Sequence, residues 1–134
     1  MPLHPEDPTD FRLLIVEADA SPVLGMLGQL RHVGLAPTVQ VVGEEEEYRR
    51  ALETFRPQVV LAAYRLPRFS GRRALNIARA FDPELPVILV TETLSPQNAL
   101  RFLRLGLVDC VFLDRISRLG PAVLQALAQT APAH

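Results

Sequence analysis

With 134 residues, 49% of them hydrophobic and 22% charged, and a formal net charge of −1, the chain has the composition of one globular domain with a real core. Disorder, a second domain and a bulk electrostatic attraction to nucleic acid are all disfavoured. The single cysteine, Cys110, excludes a disulfide framework or a thiolate zinc cluster. No apolar run approaches the roughly 18 residues of a membrane span, so a cytoplasmic protein with no membrane partner is expected.

Residues 1–10 mix prolines with ionisable side chains and show no periodicity, which suggests a flexible leader before a domain over 11–128 and a frayed tail over 129–134. Leu13-Leu14-Ile15-Val16 is a continuous apolar run, as in a strand buried on both faces. Asp19 or Ser21 can cap a helix with Pro22 at its first position, and Val23, Leu27, Leu30 and Val33 recur along it until Gly34. Thr38 to Val42 alternates and is β-branched, and Glu44 to Glu47 place negative charge where a helix begins. Val59 to Ala63 is a third strand. A Leu66-Pro67 turn and Gly71 then lead into a helix whose inner face is marked by Ala74, Ile77, Ala78 and Phe81. Pro86 introduces the strand Val87 to Val90, and Ser95-Pro96 opens a fourth helix through Leu100 and Leu103 to Gly106. Val111 to Leu113 is the fifth strand and Pro121 to Ala128 the last helix.

Strands alternating with helices through short links imply an α/β fold, a three-layer (βα)5 doubly wound parallel sheet. The second strand is the least apolar and belongs at an edge, which favours the order 2-1-3-4-5. Ligands of such sheets bind at the switch point beyond the strand carboxyl ends. The side chains expected there are Glu17, Ala18 and Asp19, then Ala63, Tyr64 and Arg65, then Thr91 and Glu92, then Asp114 and Arg115. No GxGxxG or GxxxxGK[ST] motif is present, so nucleotide binding of the usual kinds is not expected.

The segments Leu14-Ile15-Val16-Glu17-Ala18-Asp19, Pro57 through Gly71, Leu85 through Thr91 and Gly106-Leu107-Val108-Asp109 resemble the receiver domain of response regulators, of flavodoxin-like fold. The resemblance implies a role in two-component or phosphorelay signalling and five chemical positions. The phosphoacceptor aspartate falls on Ala63, and the acidic pair that holds Mg²⁺ falls on Glu17-Ala18. The lysine falls on Asp114, the hydroxyl on Thr91, and the aromatic switch on Val111. Only the hydroxyl is intact. Losing nucleophile, lysine and half the metal site removes covalent, electrostatic and metal contributions together, so a pseudo-receiver without enzymatic activity, metal or cofactor is expected. Arg65 is a candidate to replace the missing cations by pairing with Glu17 or Asp114, with a solvent-facing arginine as the alternative.

The same resemblance implies an interaction surface on the fourth helix, fifth strand and fifth helix, with Arg101, Phe102, Arg104, Val111, Leu124 and Gln125 as candidates for contact with a protein partner or a second copy. Phe102 is either an outward anchor or a core residue. A competing reading is a small-anion or nucleotide sensor using the vacated pocket, with Arg65, Arg68 and Arg115 near the strand ends. Nucleic-acid binding through Arg72, Arg73, Arg79, Arg101 and Arg104 is disfavoured, because such charges usually form a solvated face. His4, His32 and His134 lie too far apart in the chain for a metal site or triad, and Cys110 reads as a small core side chain.

Overall fold

The computed structural model describes residues 11–92 and 95–130. The expected leader therefore lies outside the described residues, as do the last four positions of the expected tail. Five strands, β1 (Arg12–Val16), β2 (Thr38–Val42), β3 (Val59–Ala63), β4 (Val87–Thr91) and β5 (Asp109–Phe112), form one sheet in the order β2-β1-β3-β4-β5. All neighbours are parallel. The helices are α1 (Ala20–His32), α2 (Glu45–Thr54), α3 (Gly71–Phe81), α4 (Pro96–Arg104) and α5 (Leu119–Thr130), with a 3-10 turn over Leu113–Arg118.

The apolar strand runs are explained by burial on both sides. Leu14, Val16, Val60, Ala62 and Leu89 meet α2, α3 and α4 on one face, while Leu13, Ile15, Leu61, Ile88 and Val90 meet α1 and α5 on the other. β2, at the edge as expected, leaves Thr38, Gln40 and Val41 exposed and buries Val42, so exposure follows the edge position and not strict alternation. Gly34 ends α1 with φ of +83°, a conformation that costs glycine little and other residues much.

Capping follows the sequence at two helices. Ser70 Oγ accepts from the Arg73 N–H at 3.2 Å at the start of α3. Ser95 Oγ accepts from the Asn98 N–H at 3.1 Å at the start of α4, with Pro96 in its first turn. α1 differs: Asp19 holds the cap position without a side-chain hydrogen bond to the helix, and Ser21 lies inside the helix. The acidic run does more than sit at a helix terminus. Glu45 accepts from Arg73 of α3 at 2.8 and 3.0 Å and from Arg49 at 3.3 Å, tying α2 to α3. Those guanidiniums hold its carboxyl down, to about 2.

Four boundaries or facings depart from the sequence reading. β5 begins at Asp109 and ends at Phe112, so Leu113 opens the 3-10 turn instead of closing the strand. α5 extends from Leu119 to Thr130, making Gln129 helical. Phe81 is 41% exposed, because it stands in the last turn of α3, beyond the reach of the sheet. In α4 the inward residue is Phe102, 4% exposed, while Leu100 and Leu103 are 48% and 51% exposed. The Phe102 ring stands edge-on to Tyr64 at 5.7 Å, and this aromatic pair sets the rotation of α4.

Candidate functional site

The carboxyl ends of β1, β3 and β4 open into a crevice of about 300 Å³ at the switch point. Ala63 closes β3 and lines this crevice with Glu17, Asp19, Tyr64, Arg65, Thr91 and Glu92. Thr91 is 7% exposed at the end of β4. Glycine is required behind this wall. A Cβ on Gly71 would stand 2.8 Å from the Ala63 carbonyl oxygen and 2.7 Å from Leu89 Cδ1, so only the bare backbone lets α3 start against the end of β3. The Gly71 N–H donates to the Tyr64 carbonyl at 2.9 Å, and Arg65 bridges Ser70 in antiparallel fashion, closing the intervening loop on itself.

Three expected members are not brought in, among them Arg115, which is exposed in the 3-10 turn. Ala18 is exposed and does not line the crevice; its Cα lies 3.4 Å from where a Gly43 Cβ would stand. Asp114 is exposed in the 3-10 turn, and Leu113 takes the crevice position assigned to it. The physical reason is strand parity: the sequence reading set β5 too late, and a one-residue slip moves every side chain to the opposite face. Counting three residues back from Leu113 gives Cys110, half-buried, instead of Val111, which is fully buried against Ile88 and Leu119 and is no surface residue. The signal that fixes this register is the turn at Gly106, φ +99°, after which the Val108 N–H donates to the Val87 carbonyl at 3.0 Å and pairing with β4 begins.

The expected guanidinium replacement is not formed. Arg65 and Glu17 share the crevice, but no ion pair joins Arg65 to Glu17 or Asp114. Burial raises the Glu17 carboxyl; the Asp19 N–H, donating to Glu17 Oε1 at 3.4 Å, opposes this, and the Asp19 charge adds to it. A folded-state pKa above the unfolded one means that ionised Glu17 weakens the fold at neutral pH and that this cost vanishes below its ordinary value of 4.5. Glu17→Gln is therefore expected to raise stability at pH 7 and to lose that advantage in acid. Urea unfolding across pH measures it, and an unchanged midpoint at neutral pH would contradict the burial argument.

Among the described residues no three of His, Cys, Asp or Glu group to hold a metal. Nor does the crevice favour an anion, since Glu17, Asp19 and Glu92 face one arginine, Arg65. Of the expected interaction residues, Arg101, Arg104, Leu124 and Gln125 are exposed, whereas Phe102 lies in the core and is no outward anchor. Burial raises the Cys110 thiol, and the neighbouring Asp109 carboxylate adds to it, as suits an unreactive side chain. Among the described residues no helix is long and apolar enough to cross a membrane.

Comparison with known proteins agrees with this geometry. The sequence model of the response regulator receiver domain matches residues 13–114. "Transcription factor SKN7" of Saccharomyces cerevisiae is 34% identical over 99 residues, which cover 74% of this chain and 16% of that protein. The chain thus spans a small part of that curated relative. Among solved structures, the signal receiver domain of an HD domain-containing protein from Pseudomonas fluorescens superposes with a TM-score of 0.78 at 18% identity, covering 90% of this chain and 96% of the other. The receiver domain of the Francisella response regulator 1452 gives 0.77 at 20% identity, covering 90% and 98%. By the family match over most of its length, the chain belongs to the response regulator receiver domain family.

Proposed function

We propose that this receiver domain signals without phosphoryl transfer, by recognising another protein or a second copy of itself. The observation that carries this reading is Ala63: the side chain presented to the crevice at the end of β3 is a methyl group, which cannot form an acyl phosphate. The loss is compounded around it. Leu113 supplies no charge for a phosphoryl group, and Ala18 supplies no second carboxylate beside Glu17. A fold stripped of its chemistry keeps its surface. Leu100 and Leu103 on α4 and Leu124 on α5 are exposed, as are Arg101, Arg104 and Gln125 beside them in the chain, and such exposed apolar and arginine side chains support contact with a partner. On this reading the domain is a recognition module within two-component signalling, and no enzyme.

Incubation with acetyl phosphate and Mg²⁺, followed by intact mass measurement, is expected to show no adduct. Beryllofluoride is expected to leave the amide spectrum unchanged. A phosphoryl adduct mapped to Glu17, Asp19 or Glu92 would overturn the reading.

A further inference from the structure

Beside the crevice lies a second hollow, of about 510 Å³, between the loop joining β3 to α3 and the helix α4. Three arginines from three elements border it: Arg65 on the loop, Arg72 in the first turn of α3 and Arg101 on α4. No carboxylate lines the hollow, and none of the three arginines makes an ion pair among the described residues. Their neighbours are spoken for. Arg68 pairs with Glu44 at 3.3 Å, Arg73 pairs with Glu45 at 2.8 Å, and Arg79 donates to the Pro83 carbonyl. Glu44 and Glu45, at the start of α2, thus pair with Arg68 and Arg73, while Arg72 and Arg101 border the hollow without a carboxylate partner.

The floor is apolar. Tyr64, Leu66 and Phe69 are half-buried, and Phe102 is buried beneath them. Apolar centres with arginines at the margin are the anatomy of a protein-binding patch. Because all three arginines are exposed, the hollow is an open groove and not an enclosed small-ligand pocket, which would bury most of its occupant. Planar guanidiniums pair with carboxylates through two parallel hydrogen bonds, and such pairs gain strength next to apolar surface. A long polyanion would also meet the glutamates at the start of α2 and a chain of net charge −1, whereas a short acidic segment can stay within the groove.

We propose that this groove docks an acidic segment of a partner protein, with an apolar side chain on the aromatic floor and carboxylates on Arg65, Arg72 and Arg101. The proposal rests on the reading that the domain works by protein recognition, and it names the chemistry of the partner and a groove that shares Arg101 with the exposed surface of α4.

The test uses the full chain and a short capped peptide of glutamates and aspartates around a central phenylalanine, followed by amide shifts in NMR. Shifts are expected at Arg65, Ser70, Arg72, Asn98 and Arg101, and binding is expected to weaken as salt rises. Arg72→Glu with Arg101→Glu is expected to weaken binding by at least about tenfold while the spectrum stays folded. Arg31→Glu, on α1, is expected to leave it unchanged, and the glutamine and asparagine version of the peptide is expected not to bind. The proposal is overturned by no binding, by binding indifferent to the Arg72 and Arg101 reversals, or by tighter binding of inorganic phosphate or duplex DNA than of the peptide. A phosphoryl adduct in the mass experiment would end the phosphorylation-independent reading without altering these shifts, so the two failures are distinguishable.

Discussion

The variant carrying Ala18→Asp, Ala63→Asp and Leu113→Lys is expected to gain one phosphoryl group from acetyl phosphate in the presence of Mg²⁺, where the parent chain gains none. The expectation follows from position. Ala63 already lines the crevice opposite Thr91, so an aspartate there presents its carboxylate to the place where the reaction must occur. Position 18 is exposed next to crevice-lining Glu17, so an aspartate there, longer than the present methyl, is expected to turn its carboxylate toward the crevice mouth and add the oxygen ligand the present set lacks. Leu113 lines the crevice while packing its stem against the α1 and α5 core, so a lysine can keep the apolar contact and bring an ammonium to the phosphoryl oxygens. Placing the lysine at Asp114 instead, in the exposed 3-10 turn, is expected to give at least about a tenfold slower gain, since a charge aimed outside the crevice stabilises nothing there. A folded triple variant without an adduct would show that something beyond these three side chains is missing. Equal rates for the two lysine placements would undo the assignment of Leu113.

Gly71→Ala is expected to cost about 1–3 kcal/mol, because the added methyl meets atoms that cannot yield. Two of the three contacts, the Ala63 carbonyl oxygen at 2.8 Å and Tyr64 Cα at 3.0 Å, are backbone of a central strand end. Relief requires α3 to retreat from the sheet, which loosens Ala74, Leu75 and Ala78 in the core. For a chain of this size the loss corresponds to roughly 3–15 °C in Tm. The contrast is on α1, where a Cβ at Gly28 meets nothing within 4 Å. Gly28→Ala is therefore expected to stabilise by about 0.5–1 kcal/mol through helix propensity alone. Paired thermal unfolding measures both. A Gly71→Ala protein as stable as the parent would mean that α3 does not depend on this close approach.

Much of the architecture was legible because it is written in local periodicity. The run from Leu13 to Val16 and the alternation over Thr38 to Val42 state which strand is central and which is an edge, and the sheet order follows from that difference. Ser95 announces its helix through a hydroxyl within reach of the N–H three residues on. The site was legible in part, since Glu17, Asp19, Ala63, Arg65 and Thr91 do line one crevice. It failed at β5, where four residues with half-buried sides carry too little alternation to fix a register. Phe102 stayed open between anchor and core, because a nine-residue helix with apolar residues at positions 100, 102 and 103 permits more than one inward face, and the structure places it in the core.

What the sequence determined alone is therefore the fold, through hydrophobic period and helix punctuation, and the methyl side chain that closes β3 at Ala63, since no folding can give an alanine a carboxylate. What only the tertiary structure decided is pairing and direction. That Arg68 and Arg73 are paired with Glu44 and Glu45, while Arg72 and Arg101 line a groove without a carboxylate and Arg65 stands between that groove and the acidic crevice, depends on side chains from separate elements meeting in space. So does the choice of Leu113 over Asp114, because the face a side chain occupies is set by how its strand pairs with β4 and not by its own chemistry.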